Sequence, residues 1–318
     1  MEFLNHALLK KDEETLLLGN RGLTVYDIPS QDYRVIYNKD RSITHPIWSI
    51  FCDQHQNYWL GSEYGLRYWD GHTDHIDSYS KYNTFPELKE HIVYTFLEWD
   101  AQHLIIGSTA GIYILHQEKG IIHRFWDEGA KGFYLPNNSI YHLHKDTENV
   151  NTIWVGTGGG GLIRIHLNEH LSKIDAYRQF TTLDGLSNNT IYSVYEDDHQ
   201  NLWMSSNYGI IRFNKNNFSS KAFTEEDGIS HHEFNRISHY QDETGNLYFG
   251  GLNGITSFHP DNVRSEAQKR EAPLRITGFE QYDGEQQRVV DKTIDLIQQK
   301  AIILQPADKL FNLEFALL

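Results

Sequence analysis

The sequence predicts an all-β fold, a β-propeller of four-stranded antiparallel blades. The first sign is a stretch that recurs six times: Leu16-Leu17-Leu18-Gly19 with Gly22-Leu23, Tyr58-Trp59-Leu60-Gly61 with Gly65-Leu66, Leu104-Ile105-Ile106-Gly107 with Gly111-Ile112, Ile153-Trp154-Val155-Gly156 with Gly161-Leu162, Leu202-Trp203-Met204-Ser205 with Gly209-Ile210, and Leu247-Tyr248-Phe249-Gly250 with Gly254-Ile255. Measured at the small residue closing each run, the intervals are 42, 46, 49, 49 and 45 residues, periods of a propeller or solenoid. The second sign is that each copy reads as strands. In the fifth, Thr190 to Tyr195 is β-branched and aromatic, Asp197-Asp198-His199-Gln200 is a turn and Leu202-Trp203-Met204 returns, which makes a hairpin; Ile210 to Phe213 and Ser220 to Thr224 add a third and a fourth strand. Helical repeats of this length would show a 3.6-residue period, which is absent.

The third sign is register. Ten residues before the centre of each hairpin stand Ala7, Ser49, Thr95, Ser193 and Ser238, with His142 at twelve because Thr147 to Asn151 lengthens that turn. The residues just before are His6, Trp48, Tyr94, Tyr141, Tyr192 and Ile237, mostly large. Adjacent strand residues face opposite sides, so each innermost strand has a small face and a bulky one, as interdigitating blades require. The aromatic column is therefore assigned to packing.

Between copies lie turn-rich connectors, Leu135-Pro136-Asn137-Asn138, Asp184-Gly185-Leu186-Ser187-Asn188-Asn189 and Asp227-Gly228-Ile229-Ser230-His231-His232. The propeller is expected over residues 1–262, a linker over 263–272, and a separate domain over 273–318 with strands at Leu274 to Phe279, Ala301 to Leu304 and Leu310 to Phe315. About 46 residues is little for a β-sandwich, so this last domain is expected to be truncated.

Composition limits the partners. The net charge of −15 opposes nucleic acid and anionic lipid, both of which need clustered Lys and Arg. No run approaches the roughly 20 apolar residues that span a bilayer, so no membrane insertion by this segment is expected. Cys52 is the single cysteine and excludes an internal disulfide, and Met1 to Asn5 lacks the basic start and apolar run of a signal peptide.

The motif Asp184-Gly185-Leu186-Ser187-Asn188-Asn189-Thr190-Ile191-Tyr192-Ser193-Val194-Tyr195-Glu196-Asp197, followed by Asn201-Leu202-Trp203 and Gly209-Ile210, resembles the two-component regulator propeller repeat. Leu135 to Ile140 leading to Ile153-Trp154-Val155-Gly156-Thr157 and Gly160-Gly161-Leu162 resembles it too, and the likeness extends over residues 1 to about 262. The resemblance implies the extracytoplasmic, periplasmic sensor region of a hybrid or sensor histidine kinase of the inner membrane, with oligosaccharide as a frequent ligand and a homodimer in the full-length receptor. It also implies that the segment from Pro273, with Asn312-Leu313-Glu314-Phe315, opens an immunoglobulin-like (YYY-type) domain. Six copies are compatible with a six-bladed ring or with part of a seven-bladed one.

Catalytic chemistry finds little footing, and no catalytic residue, metal ligand or cofactor is assigned. Gly156-Thr157-Gly158-Gly159-Gly160-Gly161 is followed by a strand, whereas phosphate-cradling loops need a helix N-terminus. Asp53 with Asn57 and Trp59, Asp197 with Asn201 and Trp203, and Asp242 with Asn246 and Tyr248 read as Asp-box turns, which are structural. Cys52, beside Phe51 in an inner strand, reads as a small hydrophobe. His142 and His144 share a strand face and His231-His232-Glu233 is compact, but neither has a metal-site spacing.

A ligand-binding face follows from topology. In four antiparallel strands the start of the first, the turn between the second and third, and the end of the fourth share one side, so connectors and Gly turns rim one end of the central channel. The register places there His45, Trp48, Glu63, Tyr64, Asn137, Asn138, Asn188, Asn189, Asn207, Tyr208, His231, His232, Asn235 and Arg236. Amides, acids and aromatic rings suit a polyhydroxylated ligand, and connector asparagines equally suit turns. The expected function is a non-enzymatic, ligand-sensing propeller that signals through rearrangement of a dimer. A propeller hydrolase or lyase acting on polysaccharide and a protein-interaction scaffold are the alternatives. An enzyme should gather two carboxylates or a His–acid pair in the channel, and a scaffold should expose a broad apolar rim.

Overall fold

The computed structural model describes residues 5–38, 46–78, 86–126, 135–263, 274–299, 301–308 and 310–317. It divides into two units, Met1–Pro260 and Asp261–Leu318. The first is a succession of antiparallel sheets, one per repeat. The first blade is Ala7–Lys10, Thr15–Asn20, Gly22–Asp27 and Tyr33–Asn38; the second is Ile47–Cys52, Tyr58–Ser62, Gly65–Trp69 and His75–Ser78. The third runs Val93–Asp100, His103–Ser108, Gly111–His116 and Gly120–Phe125, and the fourth Ile140–Lys145, Thr152–Thr157, Leu162–Leu167 and Ile174–Phe180. The fifth is Tyr195–Glu196, Asn201–Ser205, Ile210–Asn214 and Ser220–Phe223. The sixth has three strands among the described residues, Phe234–Gln241, Leu247–Gly251 and Gly254–Phe258. The outer strands of the first two blades also pair in parallel, Tyr37 with His75 and Asn38 with Ile76, which merges the two into one eight-stranded sheet.

The expected register is visible in the pairing. Ala7 stands opposite Gly19, Ser49 opposite Gly61, Thr95 opposite Gly107 and His142 opposite Gly156. A Cβ on Gly107 would sit 2.5 Å from Thr95 Cγ2 and 2.7 Å from Ile140 Cγ2 of the next blade, so the glycine is where neighbouring sheets come closest. In the fifth copy Ser205 replaces glycine, and its hydroxyl is 2.7 Å from that of Ser193. The bulky column packs as a row: ring centroids are 4.3 Å apart for His6 and Trp48, 6.3 Å for Trp48 and Tyr94, 5.4 Å for Tyr94 and Tyr141, and 5.9 Å for Tyr141 and Tyr192.

The apolar core lies between blades. Leu17, Leu23, Ile36, Ile47, Leu60 and Trp69 join the first and second; Trp59, Leu66, Val93, Ile106 and Tyr113 the second and third. Ile105, Ile114, Ile140, Val155 and Ile165 join the third and fourth, and Trp154, Phe180, Ile191, Met204 and Phe213 the fourth and fifth. No blade buries its faces alone, as expected of stacked repeats.

The hairpin turns are built by one device. Asp53 Oδ1 accepts from the His55 and Asn57 amides, and Oδ2 accepts from Asn57 Nδ2 at 3.0 Å and from Trp59 Nε1 at 2.9 Å. Asp197 repeats this with His199, Asn201 and Trp203, and Asp242 with Thr244, Asn246 and Tyr248. Asp146 does so in the lengthened turn, taking Trp154 Nε1 at 2.7 Å. These are the structural turns the sequence announces. Each also anchors the aromatic ring at the centre of its hairpin.

Two expectations are corrected. The first strand of the fifth blade shrinks to Tyr195–Glu196, because Ile191 donates its amide to Thr157 of the fourth blade at 2.9 Å before Tyr192 reaches Ser205 of its own. In the second unit, Ala301 to Leu304 is not a strand. That unit is a three-stranded sheet of Leu274–Asp283, Arg288–Asp291 and Phe311–Leu317 with a helix at Thr293–Gln299. Residues 301–304 have no strand partner among the described residues, and Ile303 and Leu304 lie exposed.

Candidate functional site

The side of the propeller where connectors meet the turns between second and third strands is stitched by the backbone. In the second to fifth blades the amide of the turn glycine donates to a connector carbonyl: Gly65 to His91 at 2.9 Å, Gly111 to Asn138 at 2.9 Å, Gly161 to Asn189 at 2.7 Å and Gly209 to His232 at 2.5 Å. A hydroxyl closes each of these four turns, Ser62 on Gly65 O, Ser108 on Gly111 O, Thr157 on Gly161 O and Ser206 on Gly209 O, at 2.7–3.0 Å. The repeated Ser or Thr ahead of the glycine was a readable signal for this belt. Gly161 cannot be replaced without cost: its φ is +79° and a Cβ would lie 2.0 Å from the Phe180 carbonyl oxygen. Gly161→Ala is expected to lower the thermal midpoint by several degrees, starting from about 1–2 kcal/mol of left-handed strain. Gly228→Ala, at φ +95° with nothing within 4 Å, should suffer only the strain, so scanning calorimetry of the pair separates strain from clash.

The rim residues divide by what they touch. His45 lies outside the described residues. Glu63 is half-buried and Tyr64 exposed on the turn after Tyr58–Ser62. The connector asparagines are spoken for: Asn137 Oδ1 accepts from Ser139 N at 2.8 Å, Asn188 Oδ1 from Thr190 N at 2.7 Å and Asn189 Oδ1 from Thr182 N at 2.8 Å. Asn138 gives its carbonyl to Gly111. Asn207 Oδ1 accepts from the Tyr192 hydroxyl at 3.2 Å, and Asn235 is exposed.

Two groups are brought together. Tyr208 lies tilted against His232 with centroids 5.5 Å apart, and His232 stacks on His231 at 4.3 Å beside Glu225, whose Oε1 is 3.3 Å from His232 Nδ1. Metal ligation does not suit His231: its Nδ1 accepts from the Glu233 amide at 2.9 Å, which places the neutral ring's proton on Nε2, the atom facing Glu225.

The other group surrounds a cavity of about 200 Å³, where the innermost strands of the first, second, third, fourth and sixth blades converge. Trp48 is not in a connector but on the strand Ile47–Cys52, and it lines this cavity together with Tyr94, Tyr141 and Arg236. The Arg236 guanidinium lies over three ring faces, 4.2 Å from the centroid of Tyr94, 5.2 Å from Tyr141 and 5.3 Å from Trp48. His6, His142 and His239 complete the polar lining, and no Asp or Glu is among the described residues that form it. Burial lowers all three histidines, His142 well below the ordinary range and His239 to about 4, so they are neutral at neutral pH. His239 Nδ1 is 2.7 Å from the Tyr195 hydroxyl, and His142 Nδ1 accepts the Val194 amide. Tyr94, Tyr141, His6, His142 and His239 are residues the sequence placed in packing or left unassigned. The bulky column was the signal for His6, Tyr94 and Tyr141, whereas His142 stood in the small column and His239 in neither.

A third set lies at the opposite ends of the fourth and fifth blades. Lys215, with 3% of its side chain exposed, reaches Asp146 Oδ1 at 3.3 Å and also Glu196. Glu196 further takes His144 Nε2 at 3.1 Å, and the Thr147 hydroxyl donates to it at 2.5 Å. Burial would raise both acids. Trp154 and Asn149 outweigh it at Asp146, and His144, Lys215 and Thr147 outweigh it at Glu196, holding each at about 2.

Residues 185–208 match the family model described as two component regulator propeller. The chain is 31% identical over 71 residues to histidine kinase P4 of Formosa agariphila, a stretch that is 22% of this chain and 5% of that protein. Among solved structures it resembles the extracellular domain of a hybrid two-component system of B. thetaiotaomicron, at TM-score 0.61 and 19% identity over 88% of this chain and 42% of that one. It also resembles PorZ, a surface component of the type-IX secretion system of Porphyromonas gingivalis, at TM-score 0.60 and 12% identity over 97% of this chain and 50% of that one. The chain thus spans half or less of the solved chains it resembles here. Among the described residues no helix is long and apolar enough to cross a membrane. The chain is a β-propeller that carries a two-component regulator propeller repeat at residues 185–208.

Proposed function

We propose that this propeller is the extracytoplasmic, ligand-sensing portion of a two-component sensor histidine kinase, with an oligosaccharide as ligand and rearrangement of a homodimer as output. The observation that carries the proposal is the cavity itself: aromatic faces from three blades and one guanidinium converge where five of the six repeats present their innermost strands. Sugar rings offer apolar faces for stacking and hydroxyls for hydrogen bonds, and the lining supplies both partners. The similarity to histidine kinase P4 and to the extracellular domain of a two-component system supports the same assignment. Under this proposal the second unit, Asp261–Leu318, begins the immunoglobulin-like module that relays the signal.

A propeller hydrolase is the weaker alternative. The acids with the lowest carboxyl pKa values are bound into turns and into the Lys215 network, and the described cavity lining offers no carboxylate pair for glycoside chemistry. A thermal-shift screen of the chain against oligosaccharides tests the proposal. Stabilisation by at least one sugar, without its cleavage, is the expected result, and measurable hydrolysis of a sugar that produces no stabilisation overturns it.

A further inference from the structure

We propose that the central cavity is a carboxylate-binding site, and that the ligand presents to Arg236 and Trp48 an acidic sugar unit of uronate type. This rests on the sensing role above and narrows its ligand. Among the described residues lining the cavity, Arg236 is the one with a permanently charged side chain, and it has no ion-pair partner there. Three aromatic rings have their centroids within 5.3 Å of the guanidinium carbon, and a ring face offers no lone-pair acceptor, so the guanidinium N–H groups are not consumed by these contacts. Arg236 Nε is buried without an acceptor, and so is Trp48 Nε1.

Two orphaned donors on residues that line one cavity, one of them on a cation, ask for an acceptor that carries negative charge. A planar carboxylate meets the fork of a guanidinium in bidentate fashion, and a buried donor left unmade is costly enough to drive its capture. Neutral histidines cannot compete as cations, and no cavity-lining Asp or Glu among the described residues repels the anion or takes its place. The surrounding chain has a net charge of −15, so an anion is not steered here by the overall field, and recognition falls to these donors. The size fits one ring: about 200 Å³ is the share of some six or seven waters at roughly 30 Å³ each.

The test is calorimetric titration of the whole chain with sodium glucuronate, glucose and sodium acetate at one ionic strength, on wild type, Arg236→Gln, Arg236→Lys and Trp48→Phe. Glucuronate is expected to bind and glucose to bind at least tenfold more weakly. Arg236→Gln should weaken glucuronate at least tenfold, Arg236→Lys less, and Trp48→Phe, which keeps a ring but removes the donor, a few-fold. Glucose binding as well as glucuronate, or glucuronate unaffected by Arg236→Gln in a protein of native circular dichroism, overturns the proposal. Should Arg236→Gln fail to fold, undiminished binding by Trp48→Phe together with Arg236→Lys does so instead. A neutral oligosaccharide that stabilises the chain while glucuronate does not bind removes the acidic site and leaves the sensing role standing. Acetate binding as tightly as glucuronate upholds the carboxylate site and counts against sugar sensing.

Discussion

Lys215→Met is expected to destabilise the propeller by about 3–5 kcal/mol, the usual cost of removing one partner from a buried ion pair. The lysine serves two carboxylates at once, Asp146 with a fully buried side chain and Glu196 with 3% exposure, and methionine would leave both without their cation. Urea unfolding measures the loss, and a change below about 1 kcal/mol would place the network among the ordinary surface pairs. Its pH dependence has a definite sign. Glu196 is held at about 2 in the folded chain against an ordinary 4.5, so its contribution is fully present above pH 4.5 and is lost as pH falls through 4.5 towards 2. Wild type should therefore weaken steeply over that acid window. In Lys215→Met the folded carboxylates move back up, and the same window should flatten.

Trp154→Ala is expected to cost about 3–5 kcal/mol as a large-to-small change in a packed core. The ring is fully buried between the fourth and fifth blades, touching Phe180 at 6.1 Å and Phe213 at 5.8 Å between centroids, and its Nε1 supports Asp146 at 2.7 Å. Trp154→Phe keeps much of the packing and removes the donor, so about 1–3 kcal/mol should separate the hydrogen bond from the cavity. Because Asp146 joins Trp154 to Lys215, the double variant should depart from additivity by more than about 0.5 kcal/mol. Additive losses would mean that the turn and the ion network act independently.

What could be read in advance follows from the range of each interaction. The Asp-box turns link residues within one hairpin, Asp197 to Asn201 and Trp203, so local chemistry announces them. The small and bulky columns were legible because a strand alternates with period two and the repeats align. The Lys215 network was not, since residues 146, 196 and 215 meet only after two blades stack. Arg236 was named as a rim residue from its connector, yet its three aromatic neighbours come from three other blades, a convergence that a linear register does not encode. Ala301 to Leu304 had strand composition, but composition supplies no pairing partner, and among the described residues none is there. Likewise, the shortened first strand of the fifth blade reflects a competition between Thr157 and Ser205 for neighbouring amides, which is settled by geometry between blades.

The parallel pairing of Tyr37 with His75 and Asn38 with Ile76 makes cohesion along the chain uneven. Elsewhere neighbouring blades are held by side-chain packing, rim hydrogen bonds and, between the fourth and fifth, the backbone bridge of Gly158 with Thr190. The first two blades are tied in addition by two parallel backbone pairs between their outer strands, so a tilt of one against the other has to strain that pairing. A rotation of one blade against its neighbour would therefore have to break backbone pairs between the first two blades, whereas the packed seams between later blades would yield mainly side-chain contacts.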